Sequence, residues 1–182
     1  MGVSEFNSGY QLAFNIAYRL HLIWTFLFRP ECHGVWVAAW FKGELLLIKN
    51  SYRKTLTLPG GGIDRGESKT AAALRELDEE VGIRAKPADL RYWGEYQSSV
   101  EYKRDHINVY EIELSHLPDF QIDNREVAWG QFCTPEQALN KPLFPALRRY
   151  LNDKQNQLDS RKEGGSLKLH HPRERAPIAS AA

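Results

Sequence analysis

Residues 61–83 read GGIDRGESKTAAALRELDEEVGI. Ser68 is placed to cap a helix, the Ala- and Leu/Glu-rich run after it favours one, and Gly82 stands where a C-terminal glycine belongs. The stretch therefore predicts a glycine-rich loop leading into a helix over Ser68–Val81. On that helix Glu76, Glu79 and Glu80 fall at i, i+3 and i+4, so three carboxylates share one face, with Asp78 nearby. Like charges at this spacing cost an isolated helix about a few tenths of a kcal/mol per pair. A bound divalent cation removes the conflict. An oxygen donor set without His or Cys suits Mg2+, Mn2+ or Ca2+ rather than zinc, and Mg2+ in particular pairs carboxylates with substrate phosphates.

Outward from this segment, Thr55–Leu58 is a short strand candidate that runs into Pro59 and three glycines. Val35–Phe41 and Glu44–Lys49 read as two strands around a Lys42-Gly43 turn, and Leu90–Ser98, His106–Leu114 and Val127–Cys133 as three more. Thr134-Pro135-Glu136 marks a helix start, and Phe144, Leu147, Leu151 and Leu158 repeat at helical spacing from Phe144 to about Leu158. Beyond Asp159 no periodicity persists, which predicts a disordered tail over 159–182.

At the other end, Tyr10–Phe28 is almost wholly apolar, its polar residues being Gln11, Asn15, Arg19, His21 and Thr25. At about 100° per residue these five fall within roughly 160° of arc, so the segment predicts an amphipathic helix. Arg19 and His21 argue against a membrane span. The apolar face, carried by Leu12, Ile16, Leu20, Ile23 and Leu27, needs a cover: its own domain, a partner copy in a homodimer, or a membrane interface touched peripherally.

The chain's 182 residues, 42% hydrophobic and 26% charged, suit one domain with some length to spare at each end. A formal net charge of +1 excludes a global field that would draw the protein onto nucleic acid or anionic lipid, so any phosphate-binding surface is local. Two distant cysteines, Cys32 and Cys133, give neither a disulfide framework nor a zinc spacing, and a reducing cytosol is the simplest compartment, with a membrane surface as a further point of contact.

The quoted segment fits the pattern G-x5-E-x7-R-E-U-x-E-E-x-G-U, with U a bulky aliphatic residue, at Gly61, Glu67, Arg75, Glu76, Leu77, Glu79, Glu80, Gly82 and Ile83. This resembles the Nudix box. LPGGG before it, RDHINVY after it and a terminal FPALRRYL helix extend the likeness to small bacterial Nudix proteins over residues 32–158. The resemblance implies an α/β Nudix fold, an α/β/α sandwich around a mixed sheet, to which residues 1–31 add the N-terminal amphipathic helix. It implies a Mg2+-dependent hydrolase, with Mn2+ as an alternative ion, that cleaves the pyrophosphate bond of a nucleoside diphosphate linked to another moiety by metal-activated water attack on phosphorus. The reading from another class is a Nudix fold that binds a nucleotide or partner without turnover.

Carried over position by position, the resemblance makes Glu76, Glu79 and Glu80 the core metal ligands and the Gly60 carbonyl a further one. Arg75 and Glu67 would orient the acidic face. The family's general base varies, leaving Glu76 and Glu126 both as candidates. Arg53, Lys54, Arg104 and His106 are candidate phosphate contacts on residue type alone. Two positions depart from the family's habit: Leu56 stands where an aromatic often precedes the loop, and Trp129 where many relatives have another acid.

Overall fold

Val35–Trp40 is buried without a break, which is the mark of a strand covered on both faces. In the computed structural model, which describes residues 16–20, 22–24, 26–28, 30–100, 104–118 and 126–166, this is the central strand β1 (Glu31–Phe41). Strand β2 (Glu44–Asn50) returns from it through Lys42 and Gly43, both at positive φ, as a two-residue hairpin turn requires. Strands β3 (Arg91–Ser98), β4 (Arg104–Glu113) and β5 (Val127–Cys133) complete a sheet of order β3-β4-β1-β2-β5. The β1/β4 pair is parallel and the others antiparallel, so the sheet is mixed, as expected.

Alternation along β1 sorts the core into two layers. Val35, Val37 and Ala39 face helix α1 (Lys69–Val81) through Ala72, Ala73, Leu77 and Val81. Trp36, Ala38 and Trp40 face the opposite layer, formed by the short α2 (Pro135–Leu139) and the long α3 (Pro145–Ser166). This is the α/β/α sandwich. Helix α3 passes residue 158, where the sequence suggested its end, because residues 159–163 contain no breaker and extending a formed helix costs little. It runs to Ser166, and 167–182 lie outside the described residues. Glu111, buried on the α3 side, accepts hydrogen bonds from Tyr150 and Lys154, both at 2.7 Å, and from Arg91. Burial alone would raise its pKa, yet these three donors hold it below the usual value.

Strands β1 and β2 pair only at Trp40↔Leu45 and Phe41↔Glu44 and then splay. The glycine loop fills the gap. Ile48 and Thr57 exchange backbone hydrogen bonds on one side of it, while Val37 N–H reaches the Pro59 carbonyl (2.8 Å) and Val35 N–H the Gly61 carbonyl (2.9 Å) on the other. Thr55–Leu58 is thus two isolated bridges, Ile48↔Thr57 and Leu56↔Leu143, instead of the strand its composition suggested.

Residues 16–20, 22–24 and 26–28 are helical, within the segment for which a helix was expected; Leu12 lies outside the described residues. Ile16, Leu20, Ile23, Trp24, Leu27 and Phe28 are exposed on it, while Tyr18 and Leu22 are half-buried. Among the described residues no helix is long and apolar enough to cross a membrane.

Candidate active site

Helix α1 is positioned by local chemistry. Ser68 Oγ accepts the Ala71 N–H at 3.1 Å, and Gly82, left-handed at φ 68°, closes the other end while Ile83 N–H returns to the Leu77 carbonyl at 3.2 Å. With Ala73, Leu77 and Val81 held in the core, Glu76 and Glu80 turn toward the glycine loop and Glu79 toward solvent, its side chain 62% exposed.

The loop accepts these acids at very short range. A Cβ on Gly61 would lie 2.5 Å from Glu76 Oε1, so only glycine lets that carboxylate pack there. At Gly60 φ is 149° and a Cβ would meet the Val35 carbonyl oxygen at 2.1 Å. Gly60 meets the acidic face through its N–H, donated to Glu80 Oε2 at 2.7 Å, and Asn50 Nδ2 donates to Glu80 Oε1 at 3.4 Å.

Arg75 is the counter-charge. Its Nε and Nη2 grip both oxygens of Glu67 (3.0 and 2.9 Å), Nη2 also reaches the Gly62 carbonyl (3.0 Å), and Nη1 donates to Glu76 (2.7 Å) and Glu79 (3.2 Å). The fork ties loop to helix. Hydrogen bonding from Arg75 keeps the Glu67 carboxyl below its ordinary pKa.

The pairing of Asn50 with Val127 and the 2.7 Å bond from Ser51 N–H to the Glu126 carbonyl bring Glu126 to the same place. Its Oε1 accepts the Tyr52 hydroxyl at 2.6 Å. Burial, then the charge of Glu126, push the Tyr52 phenol far above its usual pKa. Burial raises Glu80 to about 8, with the charges of Glu126 and Glu76 adding to it against the Gly60 hydrogen bond. Glu76 is raised as well, first by burial, and Glu79 and Glu126 add to this against the pull of Arg75.

Glu76, Glu126, Asn50, Tyr52, Arg53 and His33 line a cavity of ≈ 500 Å³. The Arg53 guanidinium lies 5.6 Å from the Tyr52 ring centre and 5.5 Å from that of Phe144. Of the other basic candidates, Arg104 is elsewhere, paired with Glu31 at 3.3 Å across β1 and β4 and largely exposed. His106 stands one layer behind the wall, stacked on His33 at 4.9 Å with its Nδ1 2.8 Å from Glu95. Leu56 is a core residue, and Trp129 packs at the rim of the α3-side core beneath Lys141. Asn50, Tyr52 and His33 were not singled out in the sequence, and Phe144 was read there only as a helix residue. The available signal for the first two was a polar pair ending the apolar run of β2.

The donor set fits a hard divalent cation, because buried carboxylates that repel one another form an oxygen-only site with surplus negative charge. Among the described residues no three acidic, His or Cys side chains yet converge at ligating distance, since Glu79 and Glu76 turn to Arg75 and Glu80 to Gly60.

The NUDIX domain family profile matches residues 33–154. The chain belongs to the Nudix family. Members of this family generally use a divalent metal, typically Mg2+. Among its relatives is the CTP pyrophosphohydrolase of Escherichia coli, 34% identical over 92 residues that span 48% of this chain and 61% of the relative. Another is an RNA pyrophosphohydrolase of Baumannia cicadellinicola, 35% identical over 68 residues, or 35% of this chain and 43% of the relative. In structure the Nudix chain is similar to an Ap4A hydrolase of C. elegans, with a TM-score of 0.61 at 22% identity, covering 71% of this chain and 97% of that one. That likeness is one of fold.

Proposed function

We propose that this Nudix chain is a pyrophosphohydrolase that cleaves the diphosphate linkage of a nucleotide derivative, with Mg2+ or Mn2+ at the Glu76/Glu79/Glu80 face. The observation that carries the reading is the meeting of Glu76 and Glu126 at one cavity beside Arg53, with the buried Glu80 near enough to feel both charges and Arg75 holding the loop and helix together. The two relatives named above, pyrophosphohydrolases of CTP and of RNA, support the same class.

When bound, the cation supplies charge against the phosphate oxygens and lowers the pKa of an attacking water. The protein's own part is placement and proton transfer. Arg53 offers a guanidinium to phosphate within a wall of Tyr52 and Phe144. The proton acceptor is a carboxylate at the cavity, Glu76 or Glu126, the latter held at 2.6 Å by Tyr52. As the water oxygen bonds to phosphorus, its proton passes to that carboxylate, the bridging P–O bond breaks, and the second phosphate leaves with the bond pair.

The test is a panel of CTP, ADP-ribose, a dinucleoside tetraphosphate and triphosphate-ended RNA, each with Mg2+ or with EDTA, products being separated by chromatography. Cleavage of at least one at the diphosphate, abolished by EDTA, is expected. Tight nucleotide binding without turnover of any would leave a binding module instead.

A further inference from the structure

The cavity wall includes Ala17 and Tyr18, residues that precede the matched family region of 33–154. On the N-terminal helix Tyr18 and Leu22, one turn apart, are the half-buried side chains, whereas Ile16, Leu20 and Ile23 are exposed. Tyr18 is therefore on the face turned toward the domain. Its ring centre lies 4.9 Å from that of Tyr52, tilted by 38°.

We propose that the N-terminal helix completes the catalytic cavity and that Tyr18 is a positioning residue, its ring fixing Tyr52 and the Tyr52 hydroxyl fixing the Glu126 carboxylate. The inference rests on the hydrolase reading only for the use made of Glu126.

Glu126 is held against a force. Glu126 shares the cavity with Glu76 and its charge reaches Glu76 and Glu80, and like-charge repulsion drives an untethered carboxylate away toward water. The tether is the 2.6 Å bond from Tyr52, a charge-assisted hydrogen bond whose strength depends on alignment. Tyr52 follows the end of β2, beyond the regular ladder, so its ring orientation is set by what packs on it: Arg53 and Tyr18. Removing the Tyr18 ring lets Tyr52 rotate, and a modest rotation breaks the bond to Glu126. The effect is transmitted by packing, with no need for Tyr18 to touch the reacting atoms.

The experiment uses the full chain and four variants: Tyr18→Ala, Tyr18→Phe, Tyr52→Phe and Glu126→Gln. The first readout is proton NMR. A buried hydroxyl in so short a bond gives a slowly exchanging downfield resonance, identified by its loss in Tyr52→Phe. It should persist in Tyr18→Phe and disappear in Tyr18→Ala. The second is kcat and KM on whichever member of the panel is cleaved. Tyr18→Ala should lower kcat by roughly tenfold to a hundredfold, the scale of a misplaced catalytic group, with Tyr18→Phe rescuing it. In the Glu126→Gln background the same change should alter kcat by less than about twofold, because its route has already been cut. A hydroxyl resonance that survives in Tyr18→Ala, or a loss of kcat equal in both backgrounds, would overturn the positioning role. If the resonance behaves as expected while no diphosphate is cleaved, the hydrolase reading fails and the Tyr18–Tyr52–Glu126 linkage stands.

Discussion

Replacing Glu80 by Gln should make the cation-free protein more stable at alkaline pH and far less active at every pH. Glu80 is 5% exposed and its carboxyl is raised from 4.5 to about 8, chiefly by burial. An acid raised on folding binds its proton more tightly in the folded state, so its contribution to stability is full below about pH 4.5 and is lost as pH rises through about 8. A gap of about 3.5 pH units at 1.36 kcal/mol each bounds that loss at about 5 kcal/mol. If water penetration leaves about 2 kcal/mol of it, a chain of this size changes Tm by about 4–8 °C. Glutamine keeps the length and can still accept the Gly60 N–H while carrying no charge. In thermal unfolding with EDTA, wild type should therefore lose more Tm than Glu80→Gln between about pH 5.5 and 9, and the variant should be the more stable at the upper end. Turnover with Mg2+ should fall by about a hundredfold or more, as when one preorganised electrostatic group is lost. Parallel Tm curves for the two proteins across this range would refute the claim that an uncompensated buried charge resides at Glu80.

Lysine at position 75 keeps the charge but cannot span Glu67, Glu76, Glu79 and the Gly62 carbonyl at once; turnover should drop by at least about tenfold, and equal kcat/KM for Arg75→Lys and wild type would count against the clamp. Gly60→Ala places a Cβ 2.1 Å from the Val35 carbonyl at a φ of 149°, so urea unfolding should reveal a loss of at least about 3 kcal/mol, and wild-type stability would show that the loop is not wedged as described. The exposed Ile16, Leu20, Ile23, Leu27 and Phe28 predict that the full chain self-associates or floats with vesicles, whereas a version beginning at residue 29 does neither; identical sizing and flotation of the two would remove the N-terminal helix as the cause.

What was legible in the sequence was what local spacing sets. The Ser68 cap, the Gly82 stop and the i, i+3, i+4 acids act within a few turns of one helix, and the structure reproduces them. Val127–Cys133 was read to the residue because charged residues before it and Thr134-Pro135 after it mark its borders. The wedge was not legible, since the splay of β1 from β2 follows from packing of the whole loop against both strands. Nor was the meeting of Tyr52 with Glu126, which are 74 residues apart and joined only through the β2/β5 pairing. Arg104 shows the same limit in reverse: a basic residue opening a motif-like stretch proves to face Glu31 where β1 and β4 begin, because the parallel register puts it there.

The central claim is that the carboxylates of the box helix hold the cation. Binding of Mn2+ followed by the electron paramagnetic resonance signal of the free ion tests it without any substrate. Wild type should deplete that signal at a saturable site, and Glu76→Gln and Glu80→Gln should each lose most of the binding while remaining folded. Mn2+ affinity unchanged in both variants would contradict the account, placing the ion, and with it the chemistry, away from this face of α1.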